Sequence, residues 1–279
     1  MIGVVDVGGG TRGIYGAGVF DYCLEKGIWF DFFAGVSAGS ANGAAYLAGQ
    51  KGRNIRFYNE YAFRKEYMSM RNFLRKGSYI DLDYVYSTLC NSDGEDPLDY
   101  AALQANPAQL LMVATDAYTG EPYYFKKEDL KQDQYDAFKA SSCVPVICKP
   151  CRVGDRMLYD GGISDPMPFQ KCFETGCERV VIVLTRPREQ WRSQGKDAKF
   201  AKLIKKKYPG AAEALANRYE TYNKALREAF ELEQEGKVLI IAPDDISGLK
   251  TLSQDHVELE KLYQKGYRDA QKIEAFLEK

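Results

Sequence analysis

The chain has almost no imidazole: among 279 residues only His256 is a histidine. A Ser-His-Asp triad, a multi-histidine zinc site or an iron facial triad each needs at least one. Its chemistry therefore has to rest mainly on other groups. An excess of charge of either sign is also missing. Lys and Arg number 38 against 39 Asp and Glu, a formal net charge of −1. No global field draws the chain to nucleic acid, and attraction to anions has to come from local clusters. Long apolar runs are absent too, since nothing approaches the about 18 consecutive apolar residues of a membrane-spanning helix. The opening MIGVVDVGGG has no basic flank before its apolar run, so it reads as a buried strand and not as a signal peptide. Regular cysteine spacing is lacking as well. The seven cysteines (Cys23, Cys90, Cys143, Cys148, Cys151, Cys172 and Cys177) are odd in number and irregular, which favours reduced thiols and a reducing compartment. Together these absences predict a cytoplasmic protein that touches membranes only peripherally.

What is present is ordinary globular material, 45% apolar and 28% charged, enough to build a sizeable core. Residues 2–7 read as an apolar strand, 8–13 as a glycine turn and 14–26 as a helix; 32–36 and 37–47 repeat strand and helix. Two such units in succession predict a parallel sheet covered on both faces, which explains why these strands are apolar without alternation. Further strands are expected at 110–115, 157–159, 180–185 and 238–242. Residues 196–235 are helical and charged, and 251–277 form an amphipathic helix with a capping box at Thr251-Leu252-Ser253-Gln254. No linker or repeat divides the chain. The expectation is one α/β domain over residues 1–279, with a helical insertion and a closing C-terminal helix.

Gly35-Val36-Ser37-Ala38-Gly39 follows an apolar strand and opens a small-residue helix, the setting of a nucleophile elbow. Its turn is so tight that side chains two residues either way would collide with strand or helix. The competing reading is that Ser37 merely caps the helix. Gly8-Gly9-Gly10-Thr11-Arg12-Gly13 has two functional readings. It fits the dinucleotide fingerprint, but that requires an acid at the end of the second strand, where Val36 and Ser37 stand instead. Otherwise it is an oxyanion loop whose bare amides point at developing negative charge. Arg12 then anchors the loop, meets an anionic substrate group, or is simply a solvated charge.

Ser37 needs a base. His256 completes a superficial Ser, Asp, His order, but it falls in the first turn of an amphipathic helix, and only one strand precedes the serine, unlike an α/β-hydrolase. Asp160, in Tyr159-Asp160-Gly161-Gly162 at a strand end, is the better candidate. A partly desolvated carboxylate can take the serine proton directly; in isolation the same tripeptide also starts ordinary turns.

Taken together, Gly8 to Gly13, Gly35 to Gly39 and Asp160 to Gly162 resemble, in order, the three motifs of the patatin-like phospholipase family. Ala140-Ser141-Ser142-Cys143-Val144-Pro145 is similar to a fourth segment of that family, with Cys143 where alanine is usual. The resemblance spans residues 2 to about 185. It implies a three-layer α/β/α fold with a mainly parallel sheet and helical insertions, and a lipid acyl hydrolase that uses no metal or cofactor. It also implies Ser37 as nucleophile, Asp160 as base, and the Gly8, Gly9 and Gly10 amides, joined by that of Ala38, as oxyanion donors. The partner expected is a lipid ester. The alternatives are a nucleotide binder using the glycine loop and a noncatalytic interaction module on a hydrolase fold.

Two further features stand apart. Cys148-Lys149-Pro150-Cys151 is a C-x-x-C, although no helix start follows to activate a thiol, and a zinc site would have to recruit Cys172 and Cys177 at an unusual spacing. Residues 51–76 hold eight basic residues and two acids interleaved with aromatics, and 199–207 have a similar character. Such segments either contact an anionic membrane surface or put their aromatics in the core under a solvated rim.

Overall fold

The computed structural model describes residues 1–278. Eight strands form one mixed sheet: β1 (Ile2–Asp6), β2 (Phe32–Val36), β3 (Gln109–Asp116), β4 (Pro122–Lys126), β5 (Cys151–Val153), β6 (Arg156–Asp160), β7 (Arg179–Val183) and β8 (Val238–Ile241). The strand order is β5-β6-β3-β2-β1-β7-β8, with β4 attached to β3. The pairs β1–β2, β1–β7, β2–β3 and β7–β8 are parallel. The pairs β3–β4, β3–β6 and β5–β6 are antiparallel.

Because successive strand residues point to opposite faces, the continuously apolar strands supply two cores at once. Val4, Phe33, Met112 and Val181 join one cluster with α1 (Ile14–Lys26) and α2 (Ala38–Leu47). Their neighbours Val5, Ala34 and Ile182 join the other with α3 (Pro209–Gln234). This gives three layers, α/β/α. The last long helix, α4 (His256–Asp269), covers α1 with Leu259 and Leu262. The first core is rich in aromatics, and the Phe20 ring lies 5.0 Å from Phe33 and 5.3 Å from Tyr46. Each such pair adds about 0.5–1.5 kcal/mol beyond area burial.

Three expectations change. β4 and β5 were not anticipated; β4 has only Phe125 buried and β5 has three residues, so neither carries a strong apolar signal. The expected helix over 251–277 is two helices, α4 and Lys272–Leu277. Its cap is Asp255, whose carboxylate accepts from the Val257 and Glu258 amides, each at 3.1 Å. The Thr251 carbonyl is instead turned inward, accepting from the Thr11 amide at 2.8 Å. Among the described residues, no helix is long and apolar enough to cross a membrane.

The topology brings distant segments to one sheet edge. β2, β1 and β7 are parallel neighbours with Asp6 opposite both Gly35 and Val183, so the loops after all three leave side by side. Ligands of open α/β sheets bind at such carboxyl ends. Asp160 arrives from the opposite direction. β4 pairs with one edge of β3 over 111–115, and β2 occupies the other edge up to Val113. β6 takes that second edge where β2 ends, with Asp160 opposite Ala114. The register therefore sets Asp160 next to the turn that follows Val36.

Candidate active site

Ser37 sits at the tip of β2 with φ 56° and ψ −129°, a left-handed conformation that costs an L residue of order 1–3 kcal/mol and persists only where its surroundings enforce it. The flanking glycines make room for it. A Cβ on Gly35 would lie 2.5 Å from Ser40 Cα, and one on Gly39 2.2 Å from the Asp6 carbonyl oxygen. The Ser37 side chain makes no capping bond to α2, so the capping reading fails and the hydroxyl is directed elsewhere. Its backbone N–H donates to Ser141 Oγ at 2.9 Å, and Ser141 also bonds Ser40 Oγ at 2.8 Å.

Asp160 ends β6 and is buried. Its N–H donates to the Cys143 carbonyl at 2.9 Å, Thr115 Oγ1 donates to its carbonyl at 2.9 Å, and its Oδ1 accepts from the Gly162 amide at 2.8 Å. The segment around Ser141 and Cys143 thus tethers both members of the pair. Burial raises the Asp160 pKa; the nearby Arg218 charge, the facing Ser37 hydroxyl and the Gly162 amide oppose that rise without cancelling it. The Ser37 hydroxyl and this carboxyl line one cavity. Serine–carboxylate contacts of this kind are often long before substrate binds and tighten in the complex.

Gly8, Gly9 and Gly10 adopt φ of 62°, 133° and 62°, values that fold the loop back over the sheet edge. The Gly8 amide donates to Asp6 Oδ1 at 2.9 Å, and the Gly8 carbonyl accepts from the Thr185 hydroxyl. Gly8 therefore does not serve as the free oxyanion donor expected of it, because its N–H is already engaged. Gly9 and Gly10 line the cavity of Ser37 and Asp160, and Ala38, at the start of α2, lines the neighbouring cavity. Asp6 also accepts from Asn42 Nδ2 at 2.8 Å, and Asn42 bonds the Gly13 carbonyl at 2.9 Å. Burial lifts the Asp6 pKa to about 6 against the effect of these two donors.

Arg12 is no solvated charge. It is 5% exposed and reaches the Leu249 carbonyl at 3.4 Å while lining the cavity of Ser37 and Asp160. Burial, then Arg186 and Arg218, lower its pKa to about 10. His256 lies elsewhere, exposed and stacked on Phe63 with centroids 3.5 Å apart, and it lines neither cavity that Ser37 faces. Cys148 and Cys151 are free thiols; burial raises the Cys151 pKa to about 11, which leaves that thiol unactivated. Among the described residues no group of three His, Cys, Asp or Glu side chains is placed to hold a metal.

Ser37 faces two cavities of different character. One is apolar, bounded by Phe57, Tyr58, Tyr67, Ile80, Leu82 and Leu89 among others. Of the aromatics of residues 51–76, Phe57, Tyr58 and Tyr67 line it and Tyr61 is buried, as the core reading of that segment expects. Met70, Phe73 and Leu74 remain outside, 61%, 43% and 80% exposed. The second cavity holds Asp160, the glycine loop and four arginines. Asp6, Asn42, Thr185, Arg186, Arg192 and Arg218 were not anticipated. Only Asp6, a charge inside an apolar strand, offered a signal in the sequence.

YjjU, an uncharacterized protein of Escherichia coli (strain K12), is 30% identical over 192 residues, covering 68% of this chain and 53% of that protein. An uncharacterized NTE family protein of Mycobacterium bovis is 30% identical over 182 residues, covering 63% and 46%. The chain thus spans about half the length of the curated relatives it matches. The fold is similar to that of VipD from Legionella pneumophila, with a TM-score of 0.54 at 15% identity over 97% of this chain and 66% of that one. Residues 208–279 match a model described as a domain of unknown function, DUF6363. Residues 7–173 match the model described as patatin-like phospholipase, and with that match over more than half its length the chain belongs to the patatin-like phospholipase family.

Proposed function

We propose that the protein is a serine acyl hydrolase that cleaves carboxylic esters of lipids, of phospholipase A or lysophospholipase type. The observation that carries this reading is the strained Ser37 facing a buried Asp160, whose pKa burial raises, beside a loop of bare amides. Ser37 Oγ attacks the acyl carbonyl carbon while Asp160 takes the hydroxyl proton. The carbonyl oxygen, now negative, is received by the Gly9, Gly10 and Ala38 amides; one such donor typically contributes about 3 kcal/mol to the transition state. The ester C–O bond breaks, and Asp160 returns the proton to the departing alkoxide. Water then attacks the acyl-enzyme with Asp160 again as base, releasing the fatty acid and restoring Ser37. A raised pKa serves this cycle, because the carboxylate is a stronger base than an exposed one.

The apolar cavity receives the acyl chain. Access to lipid falls to the short helix Met70–Lys76, where exposed Met70, Phe73 and Leu74 stand among Arg71, Arg75 and Lys76. Apolar side chains enter the interface while cations meet anionic head groups, at about 1 kcal/mol per basic residue. Vesicle flotation tests this contact. Binding to anionic vesicles should weaken with salt and fall severalfold in Leu74→Asp; equal flotation with neutral and anionic vesicles at low salt contradicts it.

The reading itself is tested by hydrolysis of a p-nitrophenyl ester and of a lysophospholipid. Ser37→Ala and Asp160→Asn, each folded by circular dichroism, should lose roughly 10³-fold or more in kcat. Activity retained within threefold in either variant contradicts the mechanism.

A further inference from the structure

The cavity beside Ser37 carries more positive charge than acyl transfer requires. Arg12, Arg186, Arg192 and Arg218 all line it, against the carboxyls of Asp160 and Asp197. The one ion pair among them is long, Arg218 Nη1 to Asp197 Oδ2 at 3.9 Å. Arg218 is fixed by its Nε bond to the Gly162 carbonyl at 2.6 Å. Arg192 lies 4.7 Å above the Tyr222 ring, held there by reciprocal backbone bonds to Asn223, each 2.8 Å. The Nε atoms of Arg12 and Arg192 are buried with no hydrogen-bond partner. Arg12, Arg186 and Arg192 all have lowered pKa values, from burial first and then from one another or Arg218. Guanidinium groups do not shed their protons in proteins, so this repulsion is retained and an anion relieves it. Planar donors in a partly desolvated site are the arrangement that binds phosphate. A volume of about 170 Å³ leaves room for such a group.

We propose that this arginine cavity is a phosphate-binding subsite, holding the phosphate on the alcohol side of the ester while the acyl chain occupies the apolar cavity on the other side of Ser37. The inference rests on the acyl-hydrolase reading and adds what that reading leaves open, the substrate's anionic group. Gly10, Ser37, Val144 and Thr251 border both cavities, so a scissile ester at Ser37 has its two halves divided between them. Of the four arginines only Arg12 falls within residues 7–173; the others come from the region after β7 and from α3. The C-terminal third would therefore set head-group selectivity.

The test compares 1-acyl-glycerol 3-phosphate with a monoacylglycerol of the same chain, in the parent protein and in Arg186→Gln/Arg192→Gln. The kcat/KM ratio should favour the phosphate ester by at least 30-fold in the parent and fall at least tenfold in the variant. Removing mutually repelling charges should leave the ligand-free variant at least as stable as the parent, which a melting curve checks. In parallel, Ser37→Ala, which cannot turn over, is melted with glycerol 3-phosphate or inorganic phosphate; the former should stabilise it and the arginine variant should abolish the shift. Fluorophosphonate labelling of Ser37 with an unchanged ester ratio would overturn the subsite and leave the hydrolase reading intact. No labelling together with an arginine-dependent shift would overturn the hydrolase reading and keep the phosphate site. Equal stabilisation by inorganic phosphate without ester discrimination would make the cavity a site for free phosphate and overturn the substrate role.

Discussion

At the scale of single residues, Asp160 and Asp6 show how one sheet edge holds two buried carboxyls in different roles. As the proposed base Asp160 works only when ionised, and burial raises its pKa, so kcat/KM should fall on the acid side with a midpoint above the ordinary aspartate range. A pH-rate profile checks this, and Asp160→Asn should lack that limb. Asp6 bolts the glycine loop to α2, and its pKa of about 6 against 3.8 means the folded state holds its proton more tightly than the unfolded one. That contribution to stability is present below about pH 4 and is lost as pH rises through about 6, a cost on the order of 3 kcal/mol at neutrality. Asp6→Asn should therefore flatten the decline of Tm between pH 4 and 6. The tight turns at Ser37 and Asp160 were legible in sequence because glycine spacing around such a turn is dictated by sterics. Gly8 was misjudged because its engagement depends on Asp6, whose side chain turns inward only once β1 is paired on both edges.

Among the elements, the strongly apolar strands and helices were readable, and the weak ones were not. β1, β2, β3 and β7 are buried on both faces, so their composition alone identifies them. β4 and β5 are stabilised by pairing and not by burial of their own side chains, which leaves little trace in composition. The start of α4 was misplaced because Thr251 and Asp255 are both competent caps, and only the folded chain shows that the Thr251 carbonyl is committed to Thr11. Asp255→Ala should cost about 1 kcal/mol in chemical denaturation, with esterase activity per folded molecule unchanged; a loss of activity larger than the loss of folded protein would tie this cap to the site.

On the scale of the whole molecule, residues 208–279 contribute α3 behind the sheet, β8 at its edge and α4 over α1. We infer that they fold with the rest as one unit, as expected for a single domain over residues 1–279. A chain ending at residue 207 would expose the β7 edge and the α3-facing core, and should be recovered as aggregated or protease-sensitive protein; a cooperatively melting fragment would show two independent units. The arginine cavity also belongs to this scale. Its four arginines come from three separated segments, and no local pattern in the sequence marks them as neighbours.

The central claim is that a carboxylate, and not the lone imidazole, activates Ser37. The rate of fluorophosphonate labelling, with peptide mapping, measures this in the parent protein, Asp160→Asn and His256→Ala. Labelling should map to Ser37, slow roughly 10³-fold in Asp160→Asn and stay unchanged in His256→Ala. Labelling that survives loss of Asp160 but disappears with His256 would contradict the account.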